Sequence, residues 1–351
     1  MFFSGIGTAK PKNRYTKTEC LEAFQKSEWY KRLDLRALYI ARTVLQRDNG
    51  IETRWLAVNS LEEVFKIDPN TLAARFLENA PLLATKAAEK ALVNADLKPN
   101  DIDAVIVSTC TGYVCPGLSG YVAERLGLRA NVFAYDLVGQ GCAAALPNMQ
   151  LCKALLTNQC EHVLSICVEV SSAAMYLDND PGVLISACLF GDGAGAAILS
   201  RKSRLNNRTI EWIDSTSIID PSERKALMFE QKNGMLCNIL SRAVPTLAAK
   251  YAHEVLNILI DRFDLRKQDI NTWIMHAGGR DVLLELERVF KLQPSDFQYS
   301  ASMLREYGNL SSAFVYFVIE AAVNDSAPDG WWWLSSFGAG FSCHGALLKV
   351  S

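Results

Sequence analysis

The run Ala104-Val-Ile-Val-Ser108 restricts this chain more than any other stretch, because its apolar, β-branched residues fall on consecutive rather than alternate positions. A strand with one wet face alternates; a continuous apolar run needs cover on both faces. The turn-like Lys98-Pro-Asn-Asp-Ile102 leads into it. His162 to Val168 and Ala194 to Leu199 read as further strands, with helical stretches at Leu118 to Leu126 and Cys142 to Leu156 in between. Alternating buried strands and helices define a layered α/β fold. Lys17 to Arg47 and Asn70 to Ala95 read as surface helices, the latter with Leu72, Phe76, Leu83 and Ala87 near helical intervals. The second half repeats the general order: helices at Ser241 to Phe263 and Val282 to Phe290, and strands at Thr272 to Met275, Trp331 to Ser335 and Gly345 to Val350. The polar, basic segment Lys202 to Arg208 divides residues 1–205 from residues 206–351, although no residue-level repeat links the halves.

Bulk properties exclude several classes. The chain has 351 residues, half of them apolar, enough for one large core or two smaller ones. A formal charge of −2 supplies no overall basic field for nucleic acid. Met1 to Tyr15 lacks a secretory pattern. The apolar runs Val183 to Phe190 and Phe314 to Val323 are too short or are broken by Ser186 and Glu320. The expectation is a soluble cytoplasmic protein without membrane insertion. Ten cysteines without CxxC pairs or zinc-type spacing read as reduced thiols with no metal site.

One cysteine stands apart. In Asp136-Leu-Val-Gly-Gln-Gly-Cys-Ala-Ala-Ala145, two glycines permit a sharp turn before a small, helix-prone run, which predicts Cys142 at the start of a helix. Unpaired N–H groups and the positive dipole end there favour a thiolate. The alternative is a small residue chosen for helix packing. A nucleophilic thiol needs a base, and among His162, His253, His276 and His344 the third is best placed. His276 follows the buried pattern Trp273-Ile-Met and precedes Ala277-Gly-Gly-Arg280, at a strand end where α/β sites collect. Asn309, in Arg305-Glu-Tyr-Gly-Asn-Leu-Ser-Ser312, reads as an N-cap for the helix Ala313 to Ala322, and its amide also supplies an uncharged donor for an oxyanion. Phe190-Gly-Asp-Gly-Ala-Gly195 and Phe337-Gly-Ala-Gly-Phe341 lack the spacing and context of nucleotide loops, so they read as turns that bring backbone close to a site. Trp331-Trp-Trp333 reads as buried strand.

Taken in order, these segments resemble the type III polyketide synthases, the chalcone synthase-like family of thiolase-fold condensing enzymes. The ordered set is Ile6-Gly-Thr-Ala9, Ser108-Thr-Cys-Thr-Gly-Tyr-Val-Cys-Pro116, Gly141-Cys142, Leu189-Phe-Gly-Asp-Gly193, His276-Ala-Gly-Gly279, Gly308-Asn-Leu-Ser-Ser312 and Phe337-Gly-Ala-Gly340. The resemblance implies a five-layered αβαβα fold built from two similar halves, with a Cys142–His276–Asn309 triad. It also implies a homodimer that uses malonyl-CoA and acyl-CoA without metal, redox cofactor or carrier protein. Phe190 corresponds to a gatekeeping aromatic, and Cys237 to the position of the second one. Cys110, Thr111, Cys115, Ser311, Gly338 and Gly340 are the expected substrate-lining positions, and Arg54, Gly278 and Gly279 the expected contacts of coenzyme A.

The implied reaction loads an acyl group on Cys142, extends it with malonyl units and cyclises it. Cysteine in place of an aromatic at 237 enlarges a cavity wall, which favours a fatty acyl starter and an alkylpyrone or alkylresorcinol product. A malonyl-primed naphthalene-forming synthase is the near alternative, since the Cys110 neighbourhood resembles that group too. A ketoacyl-ACP synthase III-like enzyme fits the His and Asn contexts less well, and a non-catalytic scaffold subunit does not require an intact triad.

Overall fold

The computed structural model describes residues 1–203 and 208–351, and its backbone is organised by nine strands that share one sheet. From edge to edge these are Ile270–Met275, Gly330–Gly338, Ser342–Val350, Ile210–Ile219, Phe2–Ala9, Gly193–Ser200, His162–Glu169, Ala104–Ser108 and Phe133–Asp136. The sheet narrows between Ile210–Ile219 and Phe2–Ala9, where Phe2 pairs with Glu211 and Trp212 N donates to Met1 O at 2.8 Å. On each side of this junction the pattern repeats. Phe2–Ala9 runs antiparallel to Gly193–Ser200, which is antiparallel to His162–Glu169, which is parallel to Ala104–Ser108. In the second half Ile210–Ile219, Ser342–Val350, Gly330–Gly338 and Ile270–Met275 stand in the same relations. The dividing point expected at 205/206 lies outside the described residues.

The sheet halves bury both faces, which explains the continuous apolar runs. Along Ala104–Ser108, Ala104 and Ile106 face a central core while Val105 and Val107 face an outer one. The central core also takes Trp332 and Leu334 from the second half and the helices Ala145–Asn158 and Phe314–Asn324. Pro69–Ala95 and Leu118–Leu126 cover the outer face of the first half. Val244–Arg262 and Arg280–Phe290 do the same for the second, against Trp273, Met275 and Trp333. Helix, sheet, helix, sheet, helix is the five-layered order.

Three departures from expectation follow from local chemistry. Phe2–Ala9 is a strand that hydropathy alone conceals, because Gly5 and Gly7 interrupt its apolar pattern. The helix expected from Cys142 begins at Ala145, after a 3₁₀ turn over Gly141–Ala143. Charged Lys17 to Arg47 is three helices, Lys17–Lys26, Glu28–Arg32 and Leu35–Gln46, with Thr16 and Asp34 capping the first and last. Among the described residues no helix is long and apolar enough to cross a membrane.

Ile319, fully buried in the central helix layer, tests this packing. Ile319→Ala should lower the unfolding free energy by about 2–5 kcal/mol, measured by urea titration. A loss under about 0.5 kcal/mol, the range of surface substitutions, would mean the layer is not close-packed.

Candidate active site

The site forms where both halves deliver strand ends and turns to one place. Gly141, at φ +55, sets the 3₁₀ turn that carries Cys142 and lies against Ala339. Gly338 lies so close that a Cβ there would stand 2.5 Å from Ala143 N, and Ser336 Oγ donates to Ala143 O at 2.9 Å. The turn with the cysteine is thereby clamped on the end of strand Gly330–Gly338. His276 leaves the neighbouring strand Ile270–Met275, its N–H donating to Ser335 O at 2.9 Å. Its ring packs edge-on against Phe337 and Phe314, with centroids at 4.9 and 5.4 Å.

Asn309 joins these parts. Its Nδ2 donates to Gly278 O at 3.1 Å, and its Oδ1 accepts from Ser311 N at 2.8 Å. It is not the expected N-cap: Leu310 precedes the short turn Ser311–Ala313, and Ala313 precedes the α-helix that starts at Phe314. Its backbone bridges to Phe190, with Asn309 N donating to Leu189 O and Gly191 N to Asn309 O, both at 3.0 Å. Ser311, at φ +50, lies with Oγ 3.2 Å from Cys142 Sγ and 3.3 Å from Glu169 Oε1. A hydroxyl has one proton, so it can donate to only one of them at a time.

Burial governs the ionisation of these groups. It pushes the Cys142 thiol up to about 12, against the opposing hydrogen bond from Ser311. It also lowers His276 to about 3, and both ring nitrogens are buried without a hydrogen-bond partner. Desolvation thus works against the thiolate expected from a helix start, and the helix whose dipole would favour it begins only at Ala145.

Glu169 is the site residue that sequence reasoning missed. It ends the buried strand His162–Glu169, is fully buried, and accepts from Thr111 Oγ1 at 2.9 Å, Cys110 N at 3.0 Å, Cys110 Sγ at 3.3 Å and Ser312 Oγ. Burial pushes its carboxyl upward against those donors. A carboxylate closing an otherwise apolar strand was the available signal, since a charge is buried only with partners.

The expected lining residues divide. Cys110, Thr111, Phe190 and Ser311 border one cavity, with Ser171, Ser186, Phe229 and Asn238 in its wall. Cys110 and Thr111 also border a larger cleft of about 690 Å³ whose wall includes Leu72, Phe76, Leu77, Met228, Met235 and Leu236. Cys237 does not line the first cavity: it is fully buried and paired with Glu230 in the hairpin Leu227–Leu240, while Asn238 and its partner Phe229 face the cavity. Side chains alternate along a strand, so an assignment displaced by one residue lands on the opposite face. Cys115 is exposed, and the larger cleft takes its neighbours Tyr113 and Val114 instead. Arg54 is buried, its Nη1 donating to Ala187 O and Phe190 O at 2.8 and 3.1 Å, so it braces the Phe190 turn rather than meeting phosphate at a mouth. Gly278 and Gly279 lie beside His276 at the start of Arg280–Phe290, and Gly340 is in the turn after Gly330–Gly338. His344 bonds Ser217 within the sheet, Nδ1 to Oγ at 2.7 Å. All ten cysteines are free, and no metal-binding group of three or more His, Cys, Asp or Glu occurs among the described residues.

A five-layered fold with a buried thiol, imidazole and carboxamide converging from two halves is that of a carbon–carbon bond-forming condensing enzyme with a thiolase-like fold. The family described as FAE1/Type III polyketide synthase-like protein matches residues 8–218, and Chalcone and stilbene synthases, C-terminal domain, matches residues 216–350. The chain belongs to the type III polyketide synthase family. It is 25% identical to a 3,5-dihydroxyphenylacetyl-CoA synthase of Amycolatopsis balhimycina, over 99% of this chain and 92% of that protein. Its fold matches PKS-I from the brown alga Ectocarpus siliculosus with a TM-score of 0.91 at 24% identity, covering 99% and 97% of the two chains. The 1,3,6,8-tetrahydroxynaphthalene synthase of Streptomyces coelicolor A3(2) matches with a TM-score of 0.87 at 22% identity, covering 99% of each chain.

The depressed histidines make stability depend on pH. His276 and His344 take up protons in the fold only near about 3 and about 4, whereas the unfolded chain does so near pH 6.5. Each therefore removes stability as pH falls below 6.5, by about 1.4 kcal/mol per pH unit, until its folded value is reached. Between pH 6.5 and 4.5, His344→Gln should lose less stability to urea than the parent; parallel losses would show that His344 is not held neutral.

Proposed function

We propose that Cys142 accepts the acyl group of an acyl-CoA starter while His276 and Asn309 hold malonyl-CoA for decarboxylative extension. One observation carries this reading: Ser311 links the Cys142 sulfur to Asn309, whose amide in turn reaches the glycine pair beside His276. In the loading step the Cys142 proton passes to His276 as sulfur bonds the acyl carbon, and coenzyme A leaves as its thiol when that proton is returned. The resting groups are neutral, so this transfer accompanies bond formation rather than preceding it. In extension the electron pair of the carbon–carboxylate bond moves onto the malonyl thioester oxygen as carbon dioxide departs. A neutral imidazole still has one N–H, and the Asn309 amide has a second N–H beyond the one given to Gly278. Both suit that oxyanion. The enolate carbon then attacks the acyl-Cys142 carbonyl, the carbon–sulfur bond breaks with its electron pair on sulfur, and a lengthened β-ketoacyl-CoA is released; that sulfur either attacks the next thioester directly or takes a proton from solvent to restore the thiol, with cyclisation at the end.

For the starter the reading is a fatty acyl group, giving an alkylpyrone or alkylresorcinol, with its tail in the apolar cleft that opens at Cys110 and Thr111. A malonyl-primed, naphthalene-forming reaction is the second reading, favoured by the polar Ser171, Ser186 and Asn238 in the cavity nearest Ser311. Labelled malonyl-CoA, offered with and without a panel of acyl-CoA esters, separates them. Product should require the added starter, Asn309→Ala should slow its formation about 10²–10³-fold, and Cys142→Ala should abolish it while malonyl decarboxylation persists. Starter-free product moves the assignment to the second reading, and product from Cys142→Ala ends the first. Dependence on acyl carrier protein would turn the reading to a ketoacyl synthase.

The same reading makes the enzyme a cytoplasmic homodimer. Ten free thiols suit a reducing compartment. The edge strand Phe133–Asp136 exposes all four residues, and Phe133, Tyr135, Val138 and Tyr113 leave large apolar surface uncovered beside it. An unpaired edge of this kind fits its own copy across a two-fold axis. Analytical ultracentrifugation should find a dimer that Tyr135→Lys dissociates; a monomeric parent would remove this part of the proposal.

A further inference from the structure

Two polar atoms in the cavity next to Ser311 are buried and unpaired. Asn238 is only 8% exposed; its Nδ2 donates to Ser186 Oγ at 2.7 Å, yet its Oδ1 has no partner. Ser171 Oγ, in the same lining, is buried and unpaired as well. The rest of the wall sets Leu56, Met175, Val183, Phe190 and Phe229 beside Thr111, Ser172, Tyr176 and Ser186. A buried acceptor and a buried hydroxyl that no protein group satisfies are costly to fold around, and each such group asks for an explanation. Packing does not provide one, because Leu has the same branching at Cγ and no polar atom. Alternation along the hairpin points Asn238 here while Cys237 faces away.

We infer that Asn238 Oδ1 and Ser171 Oγ form a specificity site for a hydroxyl on the acyl chain growing from Cys142, namely the enol hydroxyl of an oligo-β-ketone. The inference rests on the condensing reading. Ser311 lines the cavity and lies 3.2 Å from the Cys142 sulfur, so the newest, oxygenated units of a chain lengthened on that sulfur, which stay next to the thioester while the starter end leads away, are the ones nearest this cavity. Enolisation moves one proton from the carbon between two carbonyls to one of their oxygens, with no oxidant or co-reactant. The resulting O–H donates to Asn238 Oδ1, and its oxygen accepts from Ser171 Oγ. A plain alkyl segment leaves both protein atoms unpaired and is rejected from this cavity, so the alkyl tail goes to the larger apolar cleft. The two cavities thereby sort one chain by polarity.

The test uses the full chain with an acyl-CoA starter and labelled malonyl-CoA, with products counted by malonyl-derived units. In Asn238→Leu the ratio of longer to shorter products should fall about tenfold, the loss expected for one such hydrogen bond, and in Ser171→Ala it should fall in the same direction. A variant that merely loses folded protein lowers all products alike and leaves the ratio where it was. A ratio equal to the parent's in folded Asn238→Leu overturns the assignment, and if that variant does not fold, the ratio from Ser171→Ala decides. A parent that makes no carbon–carbon bond with any starter removes the condensing reading itself, an outcome distinct from an unmoved ratio.

Discussion

Ser311 holds the site together because one residue serves both halves of the molecule. Its backbone N–H is taken by Asn309 Oδ1 and its hydroxyl meets Cys142 Sγ, so a turn of the second half is bonded to the thiol of the first. The positive φ at Ser311 makes this possible by turning the chain sharply ahead of the buried helix Phe314–Asn324. Without that contact, the clamp of Gly338 on the Cys142 turn would still hold the backbone of the cysteine, but the hydroxyl bridge from its sulfur to the Asn309 turn would be lost.

Burial has two consequences that pull apart. It keeps Cys142 and His276 neutral at rest, which lowers the reactivity of the thiol. It also removes water from the surroundings of any developing oxyanion, where N–H donors act far more strongly than they do in bulk solvent. Glu169 adds a second buried acid a hydroxyl away from the sulfur, held by donors from Thr109, Cys110, Thr111 and Ser312, with the Ser311 hydroxyl shared between it and the sulfur. Such a network fixes the positions of Cys110, Thr111 and Ser311 as firmly as the backbone does.

Legibility varied with the kind of signal. Ala104–Ser108 and His162–Glu169 announced themselves because a strand covered on both faces has to be apolar throughout, whereas Phe2–Ala9 did not, since its glycines interrupt the pattern. His276 was legible as a polar residue just past a buried strand and Asn309 as a polar residue in a glycine turn, but the cap expected of Asn309 is not formed, since Leu310 and Ala313 hold the positions before the 3₁₀ turn and the helix. Cys237, Cys115 and Arg54 were misplaced for one common reason: which way a side chain faces depends on hairpin register and loop path, and a displacement of one residue reverses it.

By itself the sequence determined the alternation of buried strands and helices and the order of the glycine-rich turns. It also singled out a thiol, an imidazole and a carboxamide, because local patterning reports burial and backbone freedom. Tertiary structure alone decided that Ser311 stands between Cys142 and Glu169, that Asn238 rather than Cys237 faces the cavity, and that Arg54 is buried under the Phe190 turn. Those facts depend on contacts between residues far apart in the chain, and the free energy of such contacts is set by distance and exclusion of water, neither of which is written in linear order.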